Sequence, residues 1–140
     1  MNPRDVYFVG LDAFAERRVR NALPIGATVT GIGTGDAALE RIRATGAAAV
    51  VVDFPIPLRD GRTLTEALKS EPALAAVPVI AYSGWGFART RATAHRLGCY
   101  GFLTPRDDDQ ELRRMFEGAL SGASRRPRDA APVGMAAASA

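Results

Sequence analysis

Short apolar runs occur along the chain at regular intervals. Residues 6–9 (VYFV), 47–52 (AAAVVV) and 77–82 (VPVIAY) contain almost no polar side chains, and two further strand-like segments lie at 27–32 (ATVTGI) and 100–103 (YGFL). Runs of this length, rich in β-branched residues, predict strands that are covered on both faces, as in a parallel sheet. The sequence therefore predicts five strands, with the runs at 6–9 and 47–52 in the centre of the sheet.

Segments with helical spacing of apolar residues separate these runs. In residues 15–23 and 112–120 apolar side chains recur every three or four positions, and helices are also predicted within 34–46, 62–69 and 89–97. Five alternations of strand and helix with short connections favour right-handed crossovers. The predicted fold class is a three-layer, doubly wound α/β domain with a five-stranded parallel sheet of flavodoxin-like order 2-1-3-4-5.

The composition divides the chain into residues 1–120, the predicted domain, and residues 121–140. The second segment has no periodicity and is rich in Ala, Pro, Gly and Arg, which predicts a disordered tail. The net charge is +3, but the arginines of the tail supply most of it. The remainder is near neutral, and a basic stripe typical of nucleic-acid readers was not identified. We therefore expect no nucleic-acid partner.

Neither export nor a membrane is indicated by the sequence. No apolar stretch approaches the roughly 20 residues that a membrane span requires. An acidic residue, Asp5, stands where a signal peptide would begin its apolar region. The single cysteine, Cys99, excludes an internal disulfide. These features predict a cytoplasmic protein without membrane contact.

Asp53 is the first candidate for a chemical role. It follows the most apolar run directly, and Pro55 and Pro57 end the regular pattern after it. In open parallel sheets the carboxyl ends of the strands form the edge at which ligands bind, so Asp53 is expected at that edge. A purely structural role as a turn or cap residue stays equally open.

Several spacings match one known family. Asp53 is followed by Pro57 and Gly61, and the fourth predicted strand ends in Ser83 and Gly84. Further matches flank the last two predicted strands, at Pro78, Val79, Ile80, Gly98, Cys99, Phe102 and Leu103. With these motifs, residues 4–120 resemble the receiver domains of bacterial two-component response regulators. The resemblance implies that Asp53 is the phosphoacceptor and that Ser83 and Gly84 bind the phosphoryl oxygens.

The chain departs from the family pattern at the metal site. The family carries two acids at the end of the first strand, which hold Mg²⁺ together with the acceptor Asp. Those positions are Gly10 and Leu11 here, and only the next residue, Asp12, is acidic. We therefore expect no cofactor beyond weakly bound Mg²⁺, with Asp12 and Asp53 as its only, weak, candidate ligands.

The family's Lys-Pro step after the fifth strand is missing as well. Counting from Gly98 places it on Pro105 and Arg106, and a one-residue deletion would place it on Thr104 and Pro105. Neither alignment supplies a lysine, because the one lysine of the chain is Lys69. The loss of this second positive charge is expected to weaken phosphoryl transfer further.

These departures predict a degenerate, pseudo-receiver module that is not an enzyme and signals by protein contacts. A genuine phosphoacceptor, phosphorylated on Asp53 by a histidine kinase, is the alternative. A small-ligand binder with a flavodoxin-like fold is a remote third hypothesis, which follows from the fold alone.

Aromatic and basic residues near the last strands are candidates for partner binding. Trp85 and Phe87 lie in a glycine-containing loop beside the face that receivers commonly use, and Phe102 in the fifth predicted strand and Arg106 after it are further candidates. For the two loop aromatics, folding over the sheet edge is an equally open interpretation. No output domain is predicted after residue 120, so we expect the signal to pass to a histidine kinase, a downstream effector or a second copy of the chain.

Overall fold

The computed structural model describes residues 5–84 and 88–121. Ten elements alternate along these residues. They are β1 (Asp5–Val9), α1 (Ala13–Ala22), β2 (Thr28–Ile32), α2 (Gly35–Thr45), β3 (Ala49–Asp53), α3 (Leu64–Ser70), β4 (Val79–Tyr82), α4 (Ala88–Arg96), β5 (Gly101–Leu103) and α5 (Asp109–Leu120). Trp85, Phe87 and the predicted tail from residue 122 onward lie outside the described residues.

The five strands form one parallel sheet in the order β2-β1-β3-β4-β5. The predicted fold class and strand order are therefore confirmed. β1 and β3 lie inside the sheet, and β1 pairs with β3 from Val6–Ala49 to Val9–Val52. Within the described residues, no helix is long and apolar enough to cross a membrane.

Two apolar cores cover the two faces of the sheet. Tyr7 and Val9 of β1 point into the core shared with α2, α3 and α4. Val6 and Phe8 point into the opposite core, which is shared with α1 and α5. All four side chains are fully or almost fully buried, and each buried side chain of this size contributes about 1.5–3 kcal/mol. Burial on both faces explains why the strand appears in the sequence as a continuous apolar run.

Helix ends follow the predicted capping signals. Thr34 caps α2 by accepting the N–H of Ala37, and Asp108, within the acidic triplet before α5, caps that helix. Gly46 and Gly98 have positive φ angles of 74° and 100°, a conformation that favours glycine and ends helices. The predicted caps and glycine stops are confirmed.

Most predicted boundaries shift by one or two residues, and three of these shifts have an identified contact beside them. The central strand includes Asp53, because Asp53 pairs with Tyr82 of β4. β4 begins at Val79 rather than residue 77, and the carbonyl of Val77 accepts a hydrogen bond from Lys69 Nζ at 2.9 Å. α3 begins at Leu64 rather than residue 62, because Thr63 is its N-cap.

Candidate functional site

Three strands bring their carboxyl ends together around Asp53. Asp53 is the last residue of β3 and pairs with Tyr82, so Ser83 follows at the same edge of the sheet. Gly10 follows β1 on the other side, and a Cβ atom built on Gly10 would lie 3.5 Å from Asp53 Cβ. The predicted location of Asp53 at the carboxyl edge is confirmed.

The electrostatic surroundings of Asp53 are negative. Partial burial raises the pKa of the Asp53 carboxyl above its ordinary value, and the negative charge of Asp12 raises it further. A lysine in contact with Asp53 would lower this pKa, because it would favour the charged form. The direction of the shift therefore matches a site without such a counter-charge.

Asp12, the candidate metal ligand, already has a structural role. Its Oδ1 accepts a hydrogen bond from the N–H of Ala15 at 2.8 Å, and it is the N-cap of α1. Its charge still reaches Asp53, so two carboxylates face this edge. Among residues 5–84 and 88–121, no group of three or more His, Cys, Asp or Glu side chains could hold a metal ion.

The positions that carry the family's acidic pair do not fit Mg²⁺. Gly10 has a φ angle of +75°, and a Cβ atom on it would lie only 2.9 Å from Ile56 Cδ1. Leu11 directs its side chain against the core beneath α1 and α5. An apolar contact and a core residue thus stand where a hard cation requires oxygen ligands.

Ser83 and Gly84 lie at the end of β4, next to Asp53. Ser83 is buried, and its N–H donates to the carbonyl of Leu103 at 3.0 Å, which joins the ends of β4 and β5. Gly84 is exposed, and a Cβ atom on it would meet nothing within 4 Å. Their role in binding phosphoryl oxygens stays a prediction.

The loop after β5 contains Thr104 and Pro105, the two alternative positions of the missing lysine. Hydrogen bonds within residues 104–107 stabilise this loop. Thr104 is buried, and both its N–H and its hydroxyl donate to Asp107 Oδ2, at 2.8 and 3.4 Å. The hydroxyl of Thr104 also accepts the N–H of Arg106 at 3.1 Å. Arg106 itself is exposed. The Thr104 side chain thus stabilises its own loop.

Lys69, the one lysine of the chain, is engaged at the opposite end of the β4 strand. It lies in α3, and its Nζ donates to the carbonyls of Ala75 and Val77, each at 2.9 Å. Burial lowers the pKa of the Lys69 ammonium. Its contacts therefore fix the loop between α3 and β4, and they do not involve Asp53.

Arg18 is a residue that sequence reasoning missed. It lies in α1, and its side chain is only 15% exposed. Its guanidinium donates to the carbonyls of Pro105 and Asp107, at 3.1 and 2.7 Å, and to Asp109 Oδ1 at 3.0 Å. Helical periodicity carries no signal for partners that lie almost 90 positions away.

The ring of Phe102 belongs to the core rather than to the surface. Phe102 is 7% exposed and packs with the core beneath α2, α3 and α4. The guanidinium carbon of Arg91 lies 4.8 Å from the centre of this ring, the geometry of a cation–π contact. The prediction that Phe102 is an exposed partner contact is therefore corrected. A partner that binds at this position would contact Arg91, which lies over the Phe102 ring.

α4 is a basic helix. It carries Arg89, Arg91 and Arg96 and no acidic residue, and Ala94 is its only buried residue. The described residues as a whole contain equal numbers of acidic and basic side chains, so the charge is unevenly distributed. α4 is thus a basic element of a region whose overall charge is balanced, and the absence of a nucleic-acid partner stays a prediction.

Comparison with proteins of known sequence gives partial matches. A protein of Porphyra purpurea named "Probable transcriptional regulator ycf29" is 35% identical over 71 residues, which cover 51% of this chain and 34% of that protein. Its namesake from Pyropia yezoensis is 35% identical over 72 residues, which cover 51% of this chain and 32% of that protein. The chain thus spans well under half the length of these relatives. No protein-family model matches.

Solved structures match over most of the chain. A response regulator from Desulfuromonas acetoxidans superposes with a TM-score of 0.72 at 23% identity, over 83% of this chain and 95% of that one. The receiver domain of an HD domain-containing protein from Pseudomonas fluorescens gives 0.68 at 23%, over 86% and 95%. NtrX from Brucella abortus gives 0.71 at 25%, over 86% and 28%. This chain has the fold of response-regulator receiver domains.

Proposed function

We propose that this chain is a receiver-like signalling module of a two-component or phosphorelay system that acts by protein–protein contacts. Phosphorylation of Asp53 with Mg²⁺ is weak or absent. The observation that supports the proposal is the edge around Asp53. Asp53 ends β3 at the carboxyl edge of the sheet, Gly10 and Leu11 supply no carboxylates there, and partial burial and the nearby charge of Asp12 raise the pKa of Asp53.

The charge balance explains why phosphoryl transfer would be slow. The phosphoryl group brings negative oxygens toward an edge that already carries two carboxylates, and catalysis of this reaction relies on positive charge against those oxygens. One missing counter-charge at about 4 Å and an effective dielectric of about 20 corresponds to about 4 kcal/mol. An activation barrier that is higher by this free energy lowers the rate about a thousandfold.

One observation favours the second candidate, a working phosphoacceptor. Asp12 and Asp53 are close enough for the charge of one to raise the pKa of the other. A cation that bound between two such carboxylates would relieve their repulsion. In this alternative, Asp53 is the nucleophile toward a phosphodonor such as a histidine kinase.

Beryllofluoride, which mimics aspartyl phosphate, separates the two candidates. Mg²⁺ is titrated with and without beryllofluoride, while Trp85 fluorescence and amide NMR shifts near Asp53 and Ser83 are recorded, with Asp53→Asn as the control. We expect no change that saturates at millimolar Mg²⁺ in either protein. A saturable change that disappears in Asp53→Asn would refute the proposal and establish the phosphoacceptor.

The partner surface that we propose lies on α4 and the loop after β5. Arg89, Arg91 and Arg96 make α4 basic, and Arg106 is exposed nearby in sequence. A surface of this charge fits an acidic protein partner, because complementary charges speed association and select partners. Trp85 and Phe87, which precede α4 in the sequence, stay candidate contacts.

Charge reversal tests this surface. Affinity capture from cells that make the chain compares the native protein with Arg89→Glu/Arg96→Glu. The matched control reverses the exposed arginines of α5, in Arg113→Glu/Arg114→Glu. We expect the α4 variant to lose its partners at low salt and the α5 variant to keep them. Equal loss in both variants would contradict a specific role of α4.

A further inference from the structure

The loop after Asp53 places an apolar side chain against Gly10. Ile56 is half-buried and packs on the core beneath α2 and α3. Its Cδ1 would lie 2.9 Å from a Cβ atom on Gly10, and the same Cβ would lie 3.5 Å from Asp53 Cβ. Real Cβ atoms essentially never have neighbours at 2.9 Å. Ile56 therefore fills the space beside Asp53 that any side chain on residue 10 would enter.

Other contacts hold Ile56 in this position. Its carbonyl accepts the N–H of Leu64, the first residue of α3, at 3.0 Å. Pro57 forms an isolated β-bridge with Thr63. Leu58 is buried, and its Cδ2 would lie 2.9 Å from a Cβ atom on Gly35. These contacts fix the backbone of the loop on both sides of Ile56, so only rotation of the Ile56 side chain about its own bonds could move Cδ1 away from residue 10.

We infer that Gly10 and Ile56 form a packed pair that closes the Gly10 side of Asp53 to a divalent cation. The inference rests on the proposed function and deepens it. Loss of the acidic residues alone would leave a site that one carboxylate could restore. Packing by Ile56 adds a steric block, so a carboxylate on residue 10 restores metal binding only when Ile56 is also shortened.

A double-mutant cycle on stability tests the contact itself. Gly10→Ala, Ile56→Ala and the double variant are compared with Gly61→Ala. Gly61 also has a positive φ angle, +91°, but a Cβ atom there would meet nothing within 4 Å. An alanine at either position would have to adopt a left-handed conformation, which destabilises the folded chain. Only the alanine at position 10 would also clash with Ile56.

We expect Gly10→Ala to lower the Tm more than Gly61→Ala does. In the Ile56→Ala background the Gly10→Ala cost should fall to that of Gly61→Ala, a non-additivity that reports direct contact. Equal costs at the two glycines in the native background would overturn the packed pair.

Metal binding tests the consequence, with calorimetric Mg²⁺ titrations of the native chain, Gly10→Asp and Gly10→Asp/Ile56→Ala. We expect no saturable binding by the native chain and at least about tenfold tighter binding by the double variant than by Gly10→Asp, a difference of about 1.4 kcal/mol. Equal affinity of the two variants would overturn the inference and leave the proposed function intact. Saturable binding by the native chain that requires Asp53 would instead refute the proposed function.

Discussion

Replacing Arg18 with Met removes the guanidinium that connects α1 to the loop after β5 and keeps an apolar stem in its place. In the native chain this group donates to the carbonyls of Pro105 and Asp107 and pairs with Asp109 Oδ1. The loop also contains Thr104 and Pro105, the two alternative positions of the family's lysine. The substitution therefore tests what holds this edge of the domain in position.

The magnitude follows from the exposure of each partner. Hydrogen bonds to backbone carbonyls from a charged donor contribute about 1 kcal/mol or somewhat more each. The carboxylate of Asp109 is 77% exposed, and surface ion pairs contribute about 0–1 kcal/mol. The carbonyl bonds dominate, so Arg18→Met should lower the free energy of unfolding by about 2–3 kcal/mol. The matched variant Asp109→Asn should lower it by less than about 1 kcal/mol.

Equilibrium urea unfolding, followed by circular dichroism at low and high salt, measures both variants. The Arg18→Met loss should persist at high salt, because partly buried hydrogen bonds are screened much less than surface ion pairs. Amide NMR shifts should change mainly in residues 104–109. Two results would refute the reasoning that the hydrogen bonds to the carbonyls are the main contribution of Arg18 to stability. In the first, Arg18→Met lowers the free energy of unfolding no more than Asp109→Asn does. In the second, high salt reduces both losses to the same small value.

Three further predictions concern the charge of Asp53, the N-cap of α3 and the packing at the start of α2. A raised Asp53 pKa means that the folded chain holds this proton more tightly than the unfolded chain, so ionisation above about pH 4 lowers stability. Asp53→Asn should therefore raise the Tm at pH 7, and the gain should shrink as the pH falls to about 4; a gain that grows on acidification would contradict this sign. Thr63→Ala removes the N-cap of α3 and should lower the free energy of unfolding, measured in urea, by about 1 kcal/mol. Thr63→Ser should keep most of this stability, because serine also caps. Gly35→Ala should cost about 1–3 kcal/mol because its Cβ would meet Leu58 and the backbone, whereas Gly33→Ala, with nothing within 4 Å, should be nearly neutral; equal unfolding midpoints would refute the close packing.

The strands were predictable because central parallel strands are buried on both faces and therefore appear in the sequence as continuous apolar runs. The runs at 6–9 and 47–52 have no polar alternation, and both lie in the interior strands β1 and β3. The location of Asp53 followed from the same pattern, since a polar residue directly after such a run emerges at the carboxyl edge. Caps such as Thr34 were predictable because they act within one helical turn.

Exact strand and helix boundaries were less predictable. β4 starts two residues later than its apolar run, and β3 extends to Asp53 because of its pairing with Tyr82. Apolar character reports burial, and burial continues beyond the last ladder hydrogen bond. Pairing depends on the neighbouring strand, which local sequence does not specify.

Local sequence thus determined the strands and helices, which of the strands are buried on both faces, and the position of the acceptor-like Asp53, because periodicity and capping are properties of neighbouring residues. Tertiary contacts determined that Ile56 lies on Gly10, that Arg18 binds the loop after β5 and that Arg91 covers Phe102. The first two contacts join residues 46 or more positions apart, and the third links a helix to the following strand. Whether such side chains meet depends on how whole elements pack, and this packing cannot be deduced from the spacing of residues within one element.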